Sequence, residues 1–326
     1  MSNASEAKKI LEVRNLTKEF RMPGGSGGKS MIAKAVRGVS FDIKAGEVLG
    51  LIGESGCGKT VTGKMIMKLL EPSSGEIIFE NMDIVKMSKR SFRKYRRHIQ
   101  TVFQDPGASL DPKMSIGTIL LEPILLHDTV DIKDSAREVE RLLEIAGLDA
   151  AIKNALPNEL SSGQKQRIAI AKALSTNPRL IVCDEPVSAL DVSIQSHILN
   201  LLMDVKKQFD MTYLFISHSL GVIRHVSDRI GIMYLGRLIE TGTNEEIFNN
   251  PLHPYTKALL SASTLPDPDA NKERIILNGE VPSCTQVPDG CPFHPRCPKA
   301  TAFCSVRLPI EKEVFPGHSV ECHLYN

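Results

Sequence analysis

The sequence predicts an α/β protein whose mainly parallel sheet is covered by helices and followed by a small, loop-rich extension that carries cysteines. Apolar strands are expected at 48–53 (VLGLIG), 179–186 (RLIVCDEP) and 211–218 (MTYLFISH), and the amphipathic stretch 192–208 separates the last two. Strand, helix and strand in this order are typical of a parallel sheet with covering helices. After about residue 250 prolines recur and regular periodicity is lost, which marks the extension.

Length and composition describe an ordinary globular chain. The 326 residues are 42% hydrophobic and 24% charged, and a chain of this length holds about two domains. The formal net charge of +2 gives no indication of a nucleic-acid partner. A basic run at 86–97 is interpreted as a solvated surface helix, because it has few aromatic residues that could stack on bases.

The sequence contains neither an obvious membrane span nor an obvious export signal. No apolar run approaches the ~18 residues that a bilayer-crossing helix needs. Residues 1–16 have no apolar core region, so a secretory signal is not expected. A protein without export stays where thiols are kept reduced, which disfavours stable disulfides.

Local patterns define several further elements. Residues 11–16 (LEVRNL) alternate in the manner of a half-buried strand, and the glycine-rich stretch 23–30 is interpreted as a flexible linker. A helix is predicted over 61–70 (VTGKMIMKLL). Another is predicted over 135–148, where apolar residues recur at helical spacing before a glycine.

The stretch LIGESGCGKT at 51–60 fits the phosphate-loop pattern, with Gly53, Gly58, Lys59 and Thr60 at the required spacing. It follows an apolar strand and leads into a predicted helix, which is the context that this motif requires. Glycines let backbone N–H groups approach phosphates, and the helix N-terminus adds partial positive charge. We expect Lys59 to reach the outer phosphates and the Thr60 hydroxyl to bind Mg²⁺.

The strand RLIVCDEP supplies two adjacent acidic residues. Asp184 ends the apolar run, at the sheet edge where a carboxylate can hold Mg²⁺. Glu185 is placed to orient or deprotonate an attacking water. The alternative is that both acids cap the following helix, but the phosphate loop earlier in the chain favours the catalytic interpretation.

Several motifs together resemble a known family. LSSGQ, within 159–174, resembles the LSGGQ signature of the ATP-binding cassette (ABC) ATPases. Other motifs follow the family order. They are Phe20 in LTKEF as the aromatic that stacks on adenine, Gln104 in VFQDP as the Q-loop, residues 188–191 (SALD) as the D-loop, and His218 in FISHS as the switch histidine. The stretch 250–262 (NPLHPYTKALLSA) and the tail are similar to the ATPase subunits of oligopeptide and dipeptide importers.

The resemblance implies a phosphate-loop ATPase domain with an antiparallel β part and a helical subdomain. The implied domains are an ATPase domain at 1–260, with its helical subdomain at about 105–175, and a cysteine-bearing extension at 261–326. In this family two ATPase domains pack head to tail and sandwich each ATP between the phosphate loop of one and the signature of the other.

The resemblance also assigns the site. The implied catalytic residues are Glu185, His218 and Gln104, and the implied Mg²⁺ ligands are Thr60 and Gln104. The implied ATP-binding residues are Phe20, Gly53, Ser55, Gly56, Gly58, Lys59, Thr60, Val61 and Asp184, with Ser161 and Gly163 acting across the dimer.

Two residues depart from the family pattern. Ser162 stands where the family has glycine, and Ser219 stands where the family usually has aspartate after the switch histidine. Serine adds a Cβ near the expected phosphate position and has less access to positive φ than glycine. The departures therefore raise the hypothesis of a slow composite site, or of a catalytically impaired regulatory subunit.

The implied function is an ATPase that powers import of di- and oligopeptides from the cytoplasmic face of the membrane. Its expected partners are a homologous ATPase subunit or a second copy, two transmembrane permease subunits and an extracytoplasmic peptide-binding protein. Related importers carry nickel or other small solutes, so these remain alternatives. A cassette protein acting on ribosomes or DNA would show two cassettes or a long coiled-coil insertion, and neither is present in this sequence.

Five cysteines lie in the extension, at 284, 291, 297, 304 and 322. Unligated thiols are one interpretation, because the spacings are not those of common zinc ribbons. A metal centre is the other, because thiolates cluster in a segment with little core, and zinc and iron–sulfur remain alternatives on this chemistry. The resemblance favours a four-iron four-sulfur cluster held by Cys291, Cys297, Cys304 and Cys322, with Cys284 as the spare. Because the cysteines lie far in sequence from the ATP motifs, the expected role is structural, with redox sensing as the alternative.

Overall fold

The computed structural model describes residues 8–23, 30–262 and 275–326. Most of the predicted linker at 23–30 lies outside these ranges. The strands are β1 Lys9–Met22, β2 Met31–Lys44, β3 Val48–Ile52, β4 Ser74–Phe79, β5 Met82–Asp83, β6 Ile99–Val102, β7 Leu180–Asp184, β8 Thr212–Ile216, β9 Arg229–Tyr234, β10 Arg237–Thr243, β11 Glu311–Phe315 and β12 His318–Glu321.

The α-helices alternate with these strands through much of the chain. They are α1 Lys59–Ile66, α2 Lys89–Phe92, α3 Ile116–Leu126, α4 Ser135–Ile145, α5 Ser162–Leu174, α6 Val192–Phe209, α7 Leu220–Val226, α8 Asn244–Asn249 and α9 Pro254–Ala262. Short 3-10 turns lie at Arg96–His98, Gly107–Ser109, Ala150–Asn154, Pro157–Glu159, His294–Arg296 and Ala302–Ser305.

The chain forms two compact units. The helix-rich unit comprises Met1–Ile10, Ile43–Glu47 and Lys86–Phe215, and the sheet-rich unit comprises Leu11–Asp42, Val48–Val85 and Ile216–Asn326. The chain therefore passes between the units several times.

In the helix-rich unit, β6 and β7 pair in parallel, with Ile99 opposite Leu180, and β8 lies on the other side of β7. All five residues of β7 are buried. Such near-continuous apolar runs are typical of parallel strands that are covered on both faces. Helices α3, α4 and α5 pack against one another in the same unit.

The sheet-rich unit contains two sheets. One has the order β2-β1-β4-β5, and its pairs β1–β4 and β4–β5 are antiparallel. This sheet is the antiparallel part that the resemblance implied. In the other, β3 and β9 pair in parallel, with Leu49 opposite Arg229, and β10, β12 and β11 continue outward from β9 in that order.

The last three strands of that second sheet pair antiparallel, so the sheet is mixed. Strands β11 and β12 form a hairpin in the segment that the sequence describes only as loop-rich. Every residue of β11 is exposed except the half-buried Val314, so this edge strand has no alternating pattern to detect. The α/β prediction is confirmed, and the sequence missed the hairpin because β11 has neither the apolar run of β3 and β7 nor an alternating pattern.

Three predicted helices differ from the structure, and one of them, predicted over 135–148, ends at Ile145. Helix α1 ends at Ile66, four residues before the predicted end at 70, and Lys68 adopts a positive φ of 50°. The N–H groups of Leu69 and Leu70 turn back to the Lys64 carbonyl and end the helix, and Lys68 Nζ donates to the carbonyls of Ile84 and Val85, at 2.7 and 3.0 Å. The basic run at 86–97 contains only the four-residue α2 and part of a 3-10 turn.

Candidate functional site

The phosphate loop lies in the sheet-rich unit, between the fully buried strand β3 and helix α1. Gly58, the residue before the helix, has a φ of +106°, a conformation that residues with a Cβ rarely adopt. A Cβ on Gly53 would lie 2.1 Å from the Met233 carbonyl oxygen, so only glycine fits there. The two glycines therefore allow the chain to make the tight loop that the motif predicts.

Lys59 is directed into this loop. Its side chain is buried, and Nζ donates to the carbonyl oxygens of Gly53 and Glu54 at 2.7 and 3.1 Å. The ammonium group therefore lies within the curve of the loop rather than in solvent. Ser55 and Gly56 are exposed at the tip, and Thr60 and Val61 are half-buried in the first turn of the helix. This geometry fits a site for a phosphate chain at a helix N-terminus.

Two other predicted residues belong to the same unit. Phe20 on β1 is 37% exposed, and Lys18 Nζ lies 5.2 Å from the centre of its ring. An exposed ring of this kind is available for stacking on a base. His218 is exposed in the turn between β8 and α7.

Ser219 has a clear structural role despite its departure from the family pattern. Its side chain caps α7 by accepting a hydrogen bond from the Val222 N–H at 3.5 Å. Serine and aspartate are both favoured at helix N-caps. The replacement of aspartate therefore keeps the capping function.

The acidic pair lies in the helix-rich unit, at the end of β7. Asp184 is its last residue and is buried. Glu185 is half-buried and has a φ of +50°. A non-glycine residue in the left-handed region is uncommon, and such strained residues cluster at functional sites. The roles predicted for both carboxylates stay predictions.

The signature residues lie at the start of α5. Ser161 is the N-cap: its hydroxyl accepts from the Gln164 N–H at 3.3 Å, and Gln164 Oε1 accepts from the Ser161 N–H at 3.0 Å. Ser162 is the first helical residue, is exposed, and has the negative φ of a helix. Position 162 therefore does not require a positive φ, so serine fits the backbone there as well as glycine does.

Gly163 is constrained by packing rather than by backbone angle. A Cβ at this position would lie 2.8 Å from Ile194 Cγ2 on α6. The signature glycine therefore lets α5 approach α6 closely. Gln104, also in this unit, is exposed just after β6, and the preceding Phe103 carbonyl accepts from Gln166 Nε2 of α5 at 3.3 Å.

Four of the five cysteines of the extension line one small cavity of about 50 Å³ in the sheet-rich unit. Cys291, Cys297, Cys304 and Cys322 all border it, whereas Cys284 does not. Burial is the main cause that raises the pKa of Cys291, to about 11, and burial also raises the pKa of Cys297 and Cys322. These thiols therefore favour their protonated form.

The prediction of a metal centre is wrong. No group of three or more His, Cys, Asp or Glu side chains could hold a metal ion within residues 8–23, 30–262 and 275–326. The four cysteines do not fit the iron–sulfur cluster that the resemblance implied, and they do not form the alternative zinc site. They are free thiols around a small cavity.

Two residues outside the predicted motifs contact the phosphate loop. The Tyr255 hydroxyl accepts a hydrogen bond from the Glu54 N–H at 3.1 Å, and Arg296 pairs with the Glu54 carboxylate at 3.1 Å. Sequence reasoning missed both, because each comes from a distant segment. Arg296 even lies within the cysteine-bearing stretch, which was expected to be remote from the ATP motifs.

A phosphate loop, an acidic strand end and a capped signature helix define the class of nucleotide-hydrolysing cassettes. The family described as "ABC transporter" matches residues 36–188, and the one described as "Oligopeptide/dipeptide transporter, C-terminal region" matches residues 239–304. The oligopeptide transport ATP-binding protein AppF of Bacillus subtilis is 46% identical over 327 residues, covering 99% of each chain. A putative peptide import ATP-binding protein of Brucella ovis is 45% identical over 313 residues, which is 96% of this chain and 97% of the relative.

Solved structures give the same result for the cassette. The ADP- and phosphate-bound dimeric cassette MJ0796 has a TM-score of 0.64 and 29% identity, and it covers 72% of this chain and 99% of its own. The cbiO1 cassette from Clostridium perfringens has a TM-score of 0.64 and 30% identity, covering 74% and 92%. The chain therefore belongs to the ABC transporter ATPase family and carries the C-terminal region of its oligopeptide and dipeptide transporter members. It is an ATPase, and the predicted family is confirmed.

Membrane-spanning character is a property of each helix's length and hydropathy. None of the helices in residues 8–23, 30–262 and 275–326 combines the length and the apolar character needed to cross a bilayer.

Proposed function

We propose that this chain is the ATP-hydrolysing subunit that powers import of di- and oligopeptides through an ABC transporter. The main support for ATP hydrolysis is the phosphate loop, in which buried Lys59 lies within a glycine-lined turn at the start of α1. The match of residues 239–304 to the peptide-transporter C-terminal region supports peptides as the cargo.

The roles of the loop residues follow from elementary electrostatics. Backbone N–H groups from Gly58 to Val61 and the Lys59 ammonium bind the β- and γ-phosphates, and exposed Ser55 and Gly56 form the outer wall of the loop. Phe20 stacks on the adenine. Mg²⁺, when bound, neutralises the charge that develops on the phosphates, and Thr60, Gln104 and Asp184 are the residues that would hold it.

Hydrolysis requires a water aligned with the γ-phosphate. Glu185 orients this water and accepts its proton, and His218 contacts the γ-phosphate side of the site. Ser161 and the Gly163 N–H of a partner ATPase complete the site from the opposite face. The bound nucleotide then holds the dimer together, because both surfaces are needed to neutralise its charge.

The proposed organisation is an ATPase domain at 1–260, with a helical subdomain at about 105–175, and an extension at 261–326. The subunit lies at the cytoplasmic face of the membrane, against two transmembrane permease subunits, and an extracytoplasmic peptide-binding protein delivers the cargo. Its ATPase partner is a homologous subunit. A concentration series tests self-association, since turnover by a homodimer rises more than linearly with protein concentration.

Uptake in cells separates the possible cargoes. The test strain is an amino-acid auxotroph that lacks the gene for this chain and receives the required amino acid only as di- to pentapeptides. Wild-type protein should restore its growth, and Lys59→Ala should not. Radioactive nickel uptake is measured in the same strains. Restored nickel uptake without restored peptide uptake would overturn the peptide proposal while leaving the ATPase assignment intact.

A further inference from the structure

An ion pair joins the C-terminal extension to the phosphate loop. Arg296 Nη1 lies 3.1 Å from Oε2 and 3.3 Å from Oε1 of Glu54, and Nη2 lies 3.4 Å from Oε1. The Arg296 side chain is 9% exposed and that of Glu54 is 30% exposed. Glu54 is the residue directly after Gly53 in the loop, so a tail residue pairs with a carboxylate of the candidate ATP site.

Aromatic packing holds Arg296 in place. Phe293, buried three residues earlier, packs with its ring centre 5.3 Å from that of Tyr234 and 5.5 Å from that of Tyr255. The Arg296 guanidinium lies 6.0 Å from the Tyr234 ring centre, within reach of a cation–π contact. The 3-10 turn His294–Arg296 is therefore anchored to β9 and α9 rather than free in solvent.

Glu54 is held at three points. Its N–H donates to the Tyr255 hydroxyl, its carbonyl accepts from Lys59 Nζ, and its carboxylate pairs with Arg296. The first two contacts fix the backbone of the loop. The third neutralises a negative charge in a segment that must accept a polyanion, and an unpaired carboxylate there would repel the triphosphate.

We propose that Arg296 is a positioning residue of the ATP site, through which the C-terminal extension sets the affinity of the phosphate loop for nucleotide. This inference rests on the proposed ATP site. It gives the extension a role in the reaction that does not involve its cysteines. Removal of Arg296 leaves Glu54 charged and unpaired beside the phosphates, so nucleotide affinity falls. Removal of the Glu54 charge in the same protein relieves that loss.

The test measures the Kd of the full-length chain for a fluorescent ATP analogue with Mg²⁺. Arg296→Met should weaken binding about tenfold, a change typical of the loss of a charge-assisted hydrogen bond. Arg296→Lys keeps the charge without the planar fork, so it should weaken binding by about two- to threefold. Glu54→Gln in the Arg296→Met background should restore the Kd to within about twofold of wild type.

A control variant, a salt series and thermal midpoints separate this role from a loss of folding. Arg307→Met removes an exposed arginine of the same extension, which lies over Phe303, and should leave the Kd unchanged. Raising the salt concentration should strengthen binding by Arg296→Met relative to wild type, because salt screens the repulsion from Glu54. Thermal midpoints identify any variant that is unfolded.

The outcomes are distinct. An unchanged Kd in Arg296→Met, or a loss that Glu54→Gln does not relieve, would overturn the inference. Lys59→Ala is measured in parallel: retained binding in that variant would overturn the proposed ATP site itself, whereas its loss together with a normal Arg296→Met would reject only the role of Arg296.

Discussion

His318 on β12 and Glu240 on β10 lie within hydrogen-bonding distance across the sheet, with Nε2 2.9 Å from Oε1 and both side chains wholly excluded from solvent. The same carboxylate accepts from the N–H groups of Leu252 and His253, at 2.6 and 2.8 Å. One buried carboxylate therefore joins the C-terminal hairpin, the cassette strand β10 and the start of α9.

Replacement of Glu240 should destabilise the fold strongly. Glu240→Leu leaves three buried donors without an acceptor, and each unsatisfied buried donor costs about 1–3 kcal/mol. Urea unfolding followed by circular dichroism measures the change. Lys153→Ala, which breaks an exposed pair with Glu140, is the control and should leave the midpoint unchanged. Equal effects of the two variants would contradict the structural role of Glu240.

The stability of the protein should fall as the pH falls from about 6.5 to 4, in part because of His253. Burial lowers the pKa of His253 to about 4. Its Nδ1 accepts from the Tyr255 N–H at 3.0 Å, which requires a neutral ring. The unfolded chain binds a proton at His253 near pH 6.5, whereas the folded chain binds it only near pH 4. Between these two values the free energy of unfolding therefore falls by up to about 1.4 kcal/mol per pH unit as the pH falls.

A non-titrating variant isolates this contribution. His253→Asn keeps an acceptor near the Nδ1 position and has no proton to gain. Urea unfolding at pH 4.5, 5.5, 6.5 and 7.5 should give a shallower decline for His253→Asn than for wild type. Identical slopes would show that His253 does not carry this part of the pH dependence.

Glu185→Gln should separate nucleotide binding from hydrolysis. The amide keeps the size of the side chain and cannot accept the proton of water, so turnover should fall about a hundredfold or more. Binding of Mg²⁺-ATP should remain, and the ATP-bound dimer should persist in size-exclusion chromatography. Lys59→Ala serves as the contrast, since it should weaken binding itself. Near-normal turnover by Glu185→Gln would reject the role of Glu185 in catalysis.

Gly163→Ala should damage the signature helix through packing. The new Cβ would lie 2.8 Å from Ile194 Cγ2, and overpacking of this kind costs about 1–3 kcal/mol. ATPase activity should fall because α5 is displaced from α6. Ile194→Ala removes the clashing methyl group, so the double variant should recover both the thermal midpoint and part of the activity. A double variant no better than Gly163→Ala would mean that Gly163 is needed for another reason.

The sequence by itself determined the α/β class, the ATP motifs and the family. Each depends on residues close together in the chain: the all-buried strands β3 and β7, the glycines around Lys59, and the LSSGQ stretch. Local patterns suffice for such features, because backbone angles, helix starts and strand burial are set within a few residues.

Only the tertiary structure decided which residues the C-terminal extension contacts. Four cysteines share a cavity but form no metal centre in the part of the chain that the structure describes. The β11–β12 hairpin, the Glu240–His318 pair and the Arg296–Glu54 pair join residues far apart in sequence. No local pattern signals them, because a side chain acquires its partner only when distant segments pack together. Arg296, between two cysteines in sequence, is in the fold a neighbour of the phosphate loop.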